Sequence, residues 1–209
     1  MKGQQEALSA ILISGILIGV VGSVYFWGVP LIQKNKDISI LESSEAFVRG
    51  LDVKIKSVAN NGGRDQMSIP VPGIVTFDGK MITMSIETDG TIYAANAQIP
   101  LGRNTDSTLN VDLTNPSNPV KYGIWGTHEA TLLNVISRKQ GDTGYKNDYT
   151  LEYVELRNAA TLRDFRIALT GPPASGGQDK TIIIDSLGDS TTVNNGRTLI
   201  SSNVKISII

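Results

Sequence analysis

The residues able to do covalent or metal chemistry are few and poorly spaced for it. The 209-residue sequence holds one histidine, His128, and no cysteine. A Ser-His-Asp triad would have to be built on His128, and no Gly-x-Ser-x-Gly elbow offers it a nucleophile. Without thiols there is no disulfide framework, thiolate zinc site or cysteine nucleophile. His128 beside Glu129 reads as a surface or loop residue. Asp142 and Asp148 carry the oxygens calcium takes, but the EF-hand spacing is missing and loop aspartates usually serve turns. Gly79, Gly90 and Gly144 stand in hairpin-turn contexts, not in a phosphate-binding strand-to-helix motif. Asn-x-Ser/Thr with x other than Pro does not occur. The expectation is a non-enzyme without cofactor or metal. One carboxylate stands apart. Glu6 sits at the head of a long apolar run, where a charge is costly unless paired. The α-amine of a neighbouring chain would pair it; headgroup water or its own terminus would serve as well.

From Ala7 to Ile32 no residue is charged. As a helix at ~1.5 Å per residue this run is roughly 39 Å long. It exceeds the ~30 Å hydrocarbon core and so can span a bilayer with some tilt. Lipid leaves no other choice of backbone, because it cannot satisfy free N–H and C=O groups. The run is too long for the apolar part of a cleaved secretory signal. It ends in Tyr25-Phe26-Trp27, the chemistry of an interfacial aromatic belt. Gly15, Gly19 and Gly22 lie along it. Gly15 and Gly19 have the small-xxx-small spacing that lets a second helix approach closely in an apolar medium, although glycine is also simply common in membrane helices. Lys2 flanks one end and Lys34 and Lys36 the other, so flanking charge does not set the orientation.

Gly28 and Pro30 are placed to kink or break this helix, since proline removes a donor and clashes one turn back. Beyond them, Leu41, Val48 and Ile55 recur every seven residues, with Ser44, Leu51 and Val58 as a second line. That is an amphipathic helix over residues 33–61 with one apolar face. Asp37 and Ser39 are N-cap candidates and Ser39 and Glu42 have capping-box spacing, which favours a break near residues 33–38. Asn60-Asn61-Gly62-Gly63 ends the helix. The apolar face suits packing on the chain's own domain, or a partner, or both.

The remainder, residues 62–209, is rich in Thr, Ser, Asn, Asp and Gly and reads as short strands with tight turns. The expected strands include Ile74–Phe77, Met81–Glu87 across Asp78-Gly79, and Thr91–Ala97 across Asp89-Gly90. Further ones are Thr108–Leu113, Leu132–Ser137, Tyr149–Leu156, Arg163–Leu169 and Thr181–Asp185. A closing hairpin is expected from Thr198–Ser201 and Val204–Ile208. Strands at this spacing predict an antiparallel, immunoglobulin-like β-sandwich, so the chain as a whole is α+β. The net charge of −1 gives no reason to invoke nucleic acid, which needs a clustered basic surface.

Lys2-Gly3-Gln4, a Glu close behind and then the apolar run resemble the class III signal of archaeal type IV pilin and archaellin precursors. The resemblance covers about the first thirty residues. It implies cleavage by a prepilin peptidase between Gly3 and Gln4, giving a leader of residues 1–3 and a core helix of residues 4–32. Gln4, Glu6, Gly15, Gly19 and Gly22 would then be assembly residues. It further implies a homopolymer of identical subunits, held in the membrane before an assembly machinery places them in a cell-surface filament. Glu6 would be the third mature residue, where the family usually has its Glu at the fifth. The alternative is a non-polymerising, single-pass surface protein or minor pilin whose β domain binds a surface polysaccharide or a partner protein.

Overall fold

The computed structural model describes residues 2–114, 119–142, 144–194 and 196–209, with the side chains of residues 2–8 and of Asn194 outside the described set. One helix, α1 (Lys2–Asn61), runs from the start into the head. It contains Pro30 and is continuous through residues 33–38, so the break expected there is absent. The reason is a comparison of costs. Proline in a helix interior costs about 3 kcal/mol. Ending one helix and starting another would orphan up to about eight backbone groups. The caps are otherwise engaged: Ser39 lies mid-helix with its carbonyl accepting from the Ser43 hydroxyl, and the Asp37 carboxylate bonds the head. The C-terminus falls where Asn60-Asn61-Gly62-Gly63 puts it, with the Gly62 N–H donating to the Val58 carbonyl.

Thirteen strands follow among the described residues. The first five are β1 (Arg64–Ser68), β2 (Ile74–Phe77), β3 (Ile82–Thr88), β4 (Gln98–Pro100) and β5 (Asn110–Asp112). Then come β6 (Val120–Ile124), β7 (Thr131–Gln140), β8 (Gly144–Tyr153) and β9 (Glu155–Asn158). The last four are β10 (Arg163–Thr170), β11 (Ala174–Gly176), β12 (Thr181–Asn194) and β13 (Arg197–Ile208). They form a seven-stranded sheet, β1-β12-β13-β10-β9-β6-β5, and a six-stranded sheet, β11-β2-β3-β8-β7-β4. The α+β, two-sheet sandwich architecture is as expected. The pairing is antiparallel except for β10 with β13 and β6 with β9, which are parallel.

The strands obey the period of two. In β3, Ile82, Met84 and Ile86 are buried while Thr83, Ser85 and Glu87 are not. Asp78 closes the β2–β3 hairpin by accepting the N–H groups of Lys80 and Met81, both at 2.9 Å. Those bonds, the Met81 one foremost, hold its carboxyl below the usual range. Arg157 ties three strands together: it pairs with Asp112 at 2.8 Å and Glu155 at 2.7 Å and lies 3.9 Å from the Tyr122 ring centroid. The Thr114 N–H, then Arg157, pull the Asp112 carboxyl down to about 2.

Two strand expectations are corrected. Thr91–Ala97 is not a strand; beyond the isolated bridge of Ala95 to Ser137 it makes no ladder. Both edges of β3 are already taken, by β2 and β8, so no edge remains for a partner across Asp89-Gly90. Thr198–Ser201 and Val204–Ile208 do not form a hairpin; they are one strand, β13, paired along its length with β12. The pairing of β12 with β13 begins at Asn194 with Arg197, beside Gly196, whose φ of +75° suits glycine. Two smaller differences concern extent. Asp106–Thr108 is a turn of 3-10 helix ahead of β5, and Tyr149–Leu156 divides between β8 and β9.

One main core serves the whole head. Leu41, Val48, Leu51, Ile55 and Val58 of α1 are buried in a single cluster with Ile182, Ile184, Val204 and Ile206 of one sheet and Phe77, Met84, Val135, Tyr149 and Leu151 of the other. The predicted stripe is thus used up by the chain's own domain. Leu51→Ala should destabilise the head by about 2–5 kcal/mol, while Val53→Ala on the exposed face should stay within about 0.5 kcal/mol. Equilibrium denaturant unfolding measures both.

Candidate assembly helix

From Ser9 to Ile32 every residue of α1 but Gly28 is exposed, and none is buried. Phe26 and Trp27 are about four-fifths exposed, at 79% and 80%. In an aqueous monomer such a rod has no cover, because an exposed apolar surface of this extent marks an interaction or membrane surface. The helix is long and apolar enough to cross a membrane. At an ideal 3.6 residues per turn, Gly15, Gly19 and Gly22 fall within an arc of roughly 60°. Apart from the helix's own adjacent backbone and chain neighbours, no atom among the described residues lies within 4 Å of where a Cβ would stand at any of the three, or at Gly28. Among the described residues nothing therefore packs against the open face of these glycines. The Ser23 hydroxyl donates to the Gly19 carbonyl at 2.8 Å, which satisfies a polar group inside the apolar run. Pro30 has no N–H to give the Phe26 carbonyl, so that orphan acceptor lies among the aromatic residues at the head-proximal end of the run. The side chains of Gln4 and Glu6, and the surroundings of Gly3, lie outside the described set.

What fixes this helix to the head is a polar seam beside the apolar stripe. Asp37, buried, accepts the Gly90 N–H at 2.8 Å and the Gln33 amide at 3.2 Å. One turn on, the Leu41 carbonyl accepts from the Tyr149 hydroxyl at 3.1 Å. Next, Glu45 accepts from the Tyr93 hydroxyl at 3.2 Å. Arg49 then reaches the Leu101 carbonyl at 2.6 Å. Asp52 accepts from Tyr153 at 2.8 Å and Thr131 at 2.7 Å, and its other oxygen pairs with Lys56 at 2.8 Å. Steps of four and then three residues follow a natural ridge of the helix. The sequence reading missed this seam and took Asp37 for a cap. The available signal was the run of polar residues one position aside from the apolar stripe.

The seam also sets electrostatics. Burial raises Tyr93, Tyr149 and Tyr153, with Asp52 adding to the effect at Tyr153. Elsewhere the sequence candidates have structural duties. Asp148 accepts from Ser85 at 2.6 Å and pairs with Arg138 at 2.6 Å, and Asp142 is exposed. His128 accepts the Ile124 N–H on Nδ1 at 3.0 Å. Among the described residues no cluster of three potential metal ligands occurs.

Fold and surface together define a class: a β-sandwich head carried on one long N-terminal helix whose apolar half is left uncovered. No protein-family model matches the chain, and neither a curated protein nor a solved structure matches it.

The raised tyrosines give a pH prediction. Their folded pKa values exceed the unfolded value of about 10, so the stability they contribute is complete below pH 10. It is lost as the pH rises beyond that, because only the unfolded chain releases those protons. The thermal midpoint should fall between about pH 10 and 11.5, and Tyr149→Phe should fall less steeply. Scanning calorimetry across that range measures the difference, the lysines being the same in both proteins.

Proposed function

We propose that this protein is the structural subunit of an archaeal type IV pilus-like cell-surface filament, polymerising through residues 4–32. The observation that carries the reading is the division of one continuous helix. Residues from 37 on supply the stripe and seam that the head takes up, while among residues 9–32 every residue but Gly28 is exposed and none is buried. The membrane holds the apolar half until an assembly machinery withdraws it, and other subunits then take the place of lipid. Lipid is as apolar as leucine, so hydrophobicity alone does not drive that exchange. Close packing does, and Gly15, Gly19 and Gly22 supply open surface for it. The Lys2-Gly3-Gln4 start supports removal of Met1–Gly3, and Glu6 would pair with the new α-amine of a neighbour.

A Gly19→Arg substitution should leave the head folded and abolish fibres, because it fills the open face and brings a charge into the bundle. Negative-stain microscopy of sheared surface material reads the fibres, and circular dichroism of the purified variant reads the head. Fibres of normal number from this variant would remove the helix bundle as the filament core. Wild-type protein confined to the membrane fraction would instead favour the single-pass anchor. Intact mass of the surface material should lack Met1–Gly3; an intact Met1 would sink the processing step and leave the filament standing.

A further inference from the structure

We propose that the outer edge of β12 is a homophilic contact, joining the heads of two copies carried on facing surfaces. β12 pairs with β13 along its length, but β1 covers its other side only from Thr181 to Asp185. The Ser186 N–H is still tied to the Gly63 carbonyl at 2.8 Å. From Leu187 to Val193 every residue is exposed, and no strand among the described residues takes that side. Such an edge presents a row of unpaired backbone N–H and C=O groups to any other strand. The edges at the other ends of the sheets are short. β4, β5 and β11 have three residues each, and β4 ends on Pro100. From Gly188 to Val193 there is no Lys, Arg or Pro to blunt the edge. The bulge between Ser186 and Gly188 lies just before this run, and the register with β13 is unbroken beyond it.

The place of this edge decides what can reach it. The chain turns at Gly62 and Gly63, and β1 runs back along α1, bringing Asp65 to Lys54 at 2.8 Å. β12 is antiparallel to β1, with Asp185 opposite Arg64. It therefore runs in the sense of α1 and continues past the end of the helix. Gly188 to Asn194 adds roughly 20 Å of strand at ~3.4 Å per residue. The open edge thus lies at the far end of the head from the apolar half of α1. Two such edges paired antiparallel in one continuous sheet are related by a two-fold axis normal to that sheet. The axis points the two β12 strands, and with them the two helices, in opposite directions. Copies side by side in one membrane cannot meet this way, whereas copies on two facing surfaces can. This rests on the reading that the apolar half of α1 fixes the subunit to a surface.

The side chains select a second copy as the occupant. Centred on Ser190, antiparallel self-pairing sets Gly188 opposite Thr192 and Asp189 opposite Thr191. The one carboxylate of the run then meets a hydroxyl on each side of the axis. Centred one residue earlier, the pairing sets Asp189 against itself, and like charges directly opposite are destabilising. Centred one residue later, it sets Asp189 against Val193, which has no hydrogen to offer. A parallel pair about a two-fold also sets Asp189 against itself. A foreign strand would draw its specificity from pockets for alternate side chains, and the main clefts among the described residues are lined elsewhere. One strand pair is smaller than the ~800 Å² per side of a stable complex. A single contact is therefore weak, and many copies on each surface multiply it.

The test uses the full-length protein in phosphatidylcholine vesicles, with dynamic light scattering as the readout. Vesicles carrying the wild type should cluster, their mean size rising severalfold over protein-free vesicles. Thr191→Asp sets two carboxylates opposite each other and should abolish clustering. Asp189→Lys combined with Thr191→Asp should restore it, and circular dichroism should be unchanged in both variants. Dispersed wild-type vesicles, or clusters indifferent to Thr191→Asp, overturn the contact, and failure of the double variant to rescue overturns the pairing centred on Ser190. The chain has no cysteine, so Ser190→Cys on the axis should give a disulfide dimer under mild oxidant, within the ~4.4–6.8 Å that a disulfide spans between Cα atoms. Ser107→Cys, on an exposed turn, should stay monomeric. Protein that does not float with the vesicles sinks the anchored reading of α1. The edge is then read in detergent micelles, where a dimer confined to Ser190→Cys supports the pairing and a monomer overturns it.

Discussion

Everything in this molecule depends on the head having no complete core without the helix. Leu41, Val48, Leu51, Ile55 and Val58 sit in the same cluster as the inward residues of both sheets. Burying one such side chain is worth roughly 1.5–3 kcal/mol, so the stripe accounts for a large part of what a domain of marginal stability can spare. The helix is therefore not a tether on which a finished domain hangs. Its second half is an internal element of the head, and its first half must leave the head in whatever direction the second half imposes.

The seam makes that direction specific. Hydrophobic burial is non-directional and would tolerate a helix slid by a turn or rotated by part of one. The bonds of Asp37 to Gly90, of Tyr149 to the Leu41 carbonyl and of Asp52 to Tyr153 and Thr131 do not. Slipping the helix by one turn would take the Gly90 N–H from Asp37 and the Tyr153 and Thr131 hydroxyls from Asp52, leaving each carboxylate only its in-helix contact to Gln33 or Lys56, and a buried polar group that loses a partner costs about 1–3 kcal/mol, more when charged. The two phenol hydrogens of Tyr93 and Tyr149 serve three oxygen contacts, the third being the 3.1 Å approach of the two hydroxyls. Such a shared network is sensitive to position, and it lies opposite the head-proximal turns of the helix. Stripe and seam together fix both depth and register.

How much of this was legible depended on whether the signal was local. The stripe at Leu41, Val48 and Ile55 was legible because helical period alone sets which residues share a face. β3 was legible because Ile82, Met84 and Ile86 alternate with polar neighbours. The uncovered apolar run was legible from composition. Thr91–Ala97 was misread because its local pattern is strand-like while the edges of β3 are occupied by β2 and β8, which is a fact of topology. The closing hairpin was misread for a related reason. Asn194, Asn195 and Gly196 carry the turn signal, and Ser202-Asn203 lies inside a strand that β12 pairs throughout. Asp37 was read as a cap because nothing in its neighbourhood announces Gly90, more than fifty residues away.

Pro30 makes the contrast between local rule and whole-chain cost most plainly. Taken alone, Gly28 and Pro30 with a capping box downstream argue for two helices. Yet the upstream side of that junction is an uncovered apolar run long enough to cross a membrane, and a hydrocarbon core would offer no water to free backbone groups. A break would place orphan carbonyls and amides at that boundary, whereas continuing through Pro30 forfeits one hydrogen bond, at Phe26. The cheaper course also preserves mechanical connection. A break would let the apolar half swivel independently of the stripe and the seam. A continuous α1 keeps the glycine face at a set angle to the head, so the exposed apolar part of the helix inherits its orientation from a core it does not itself enter.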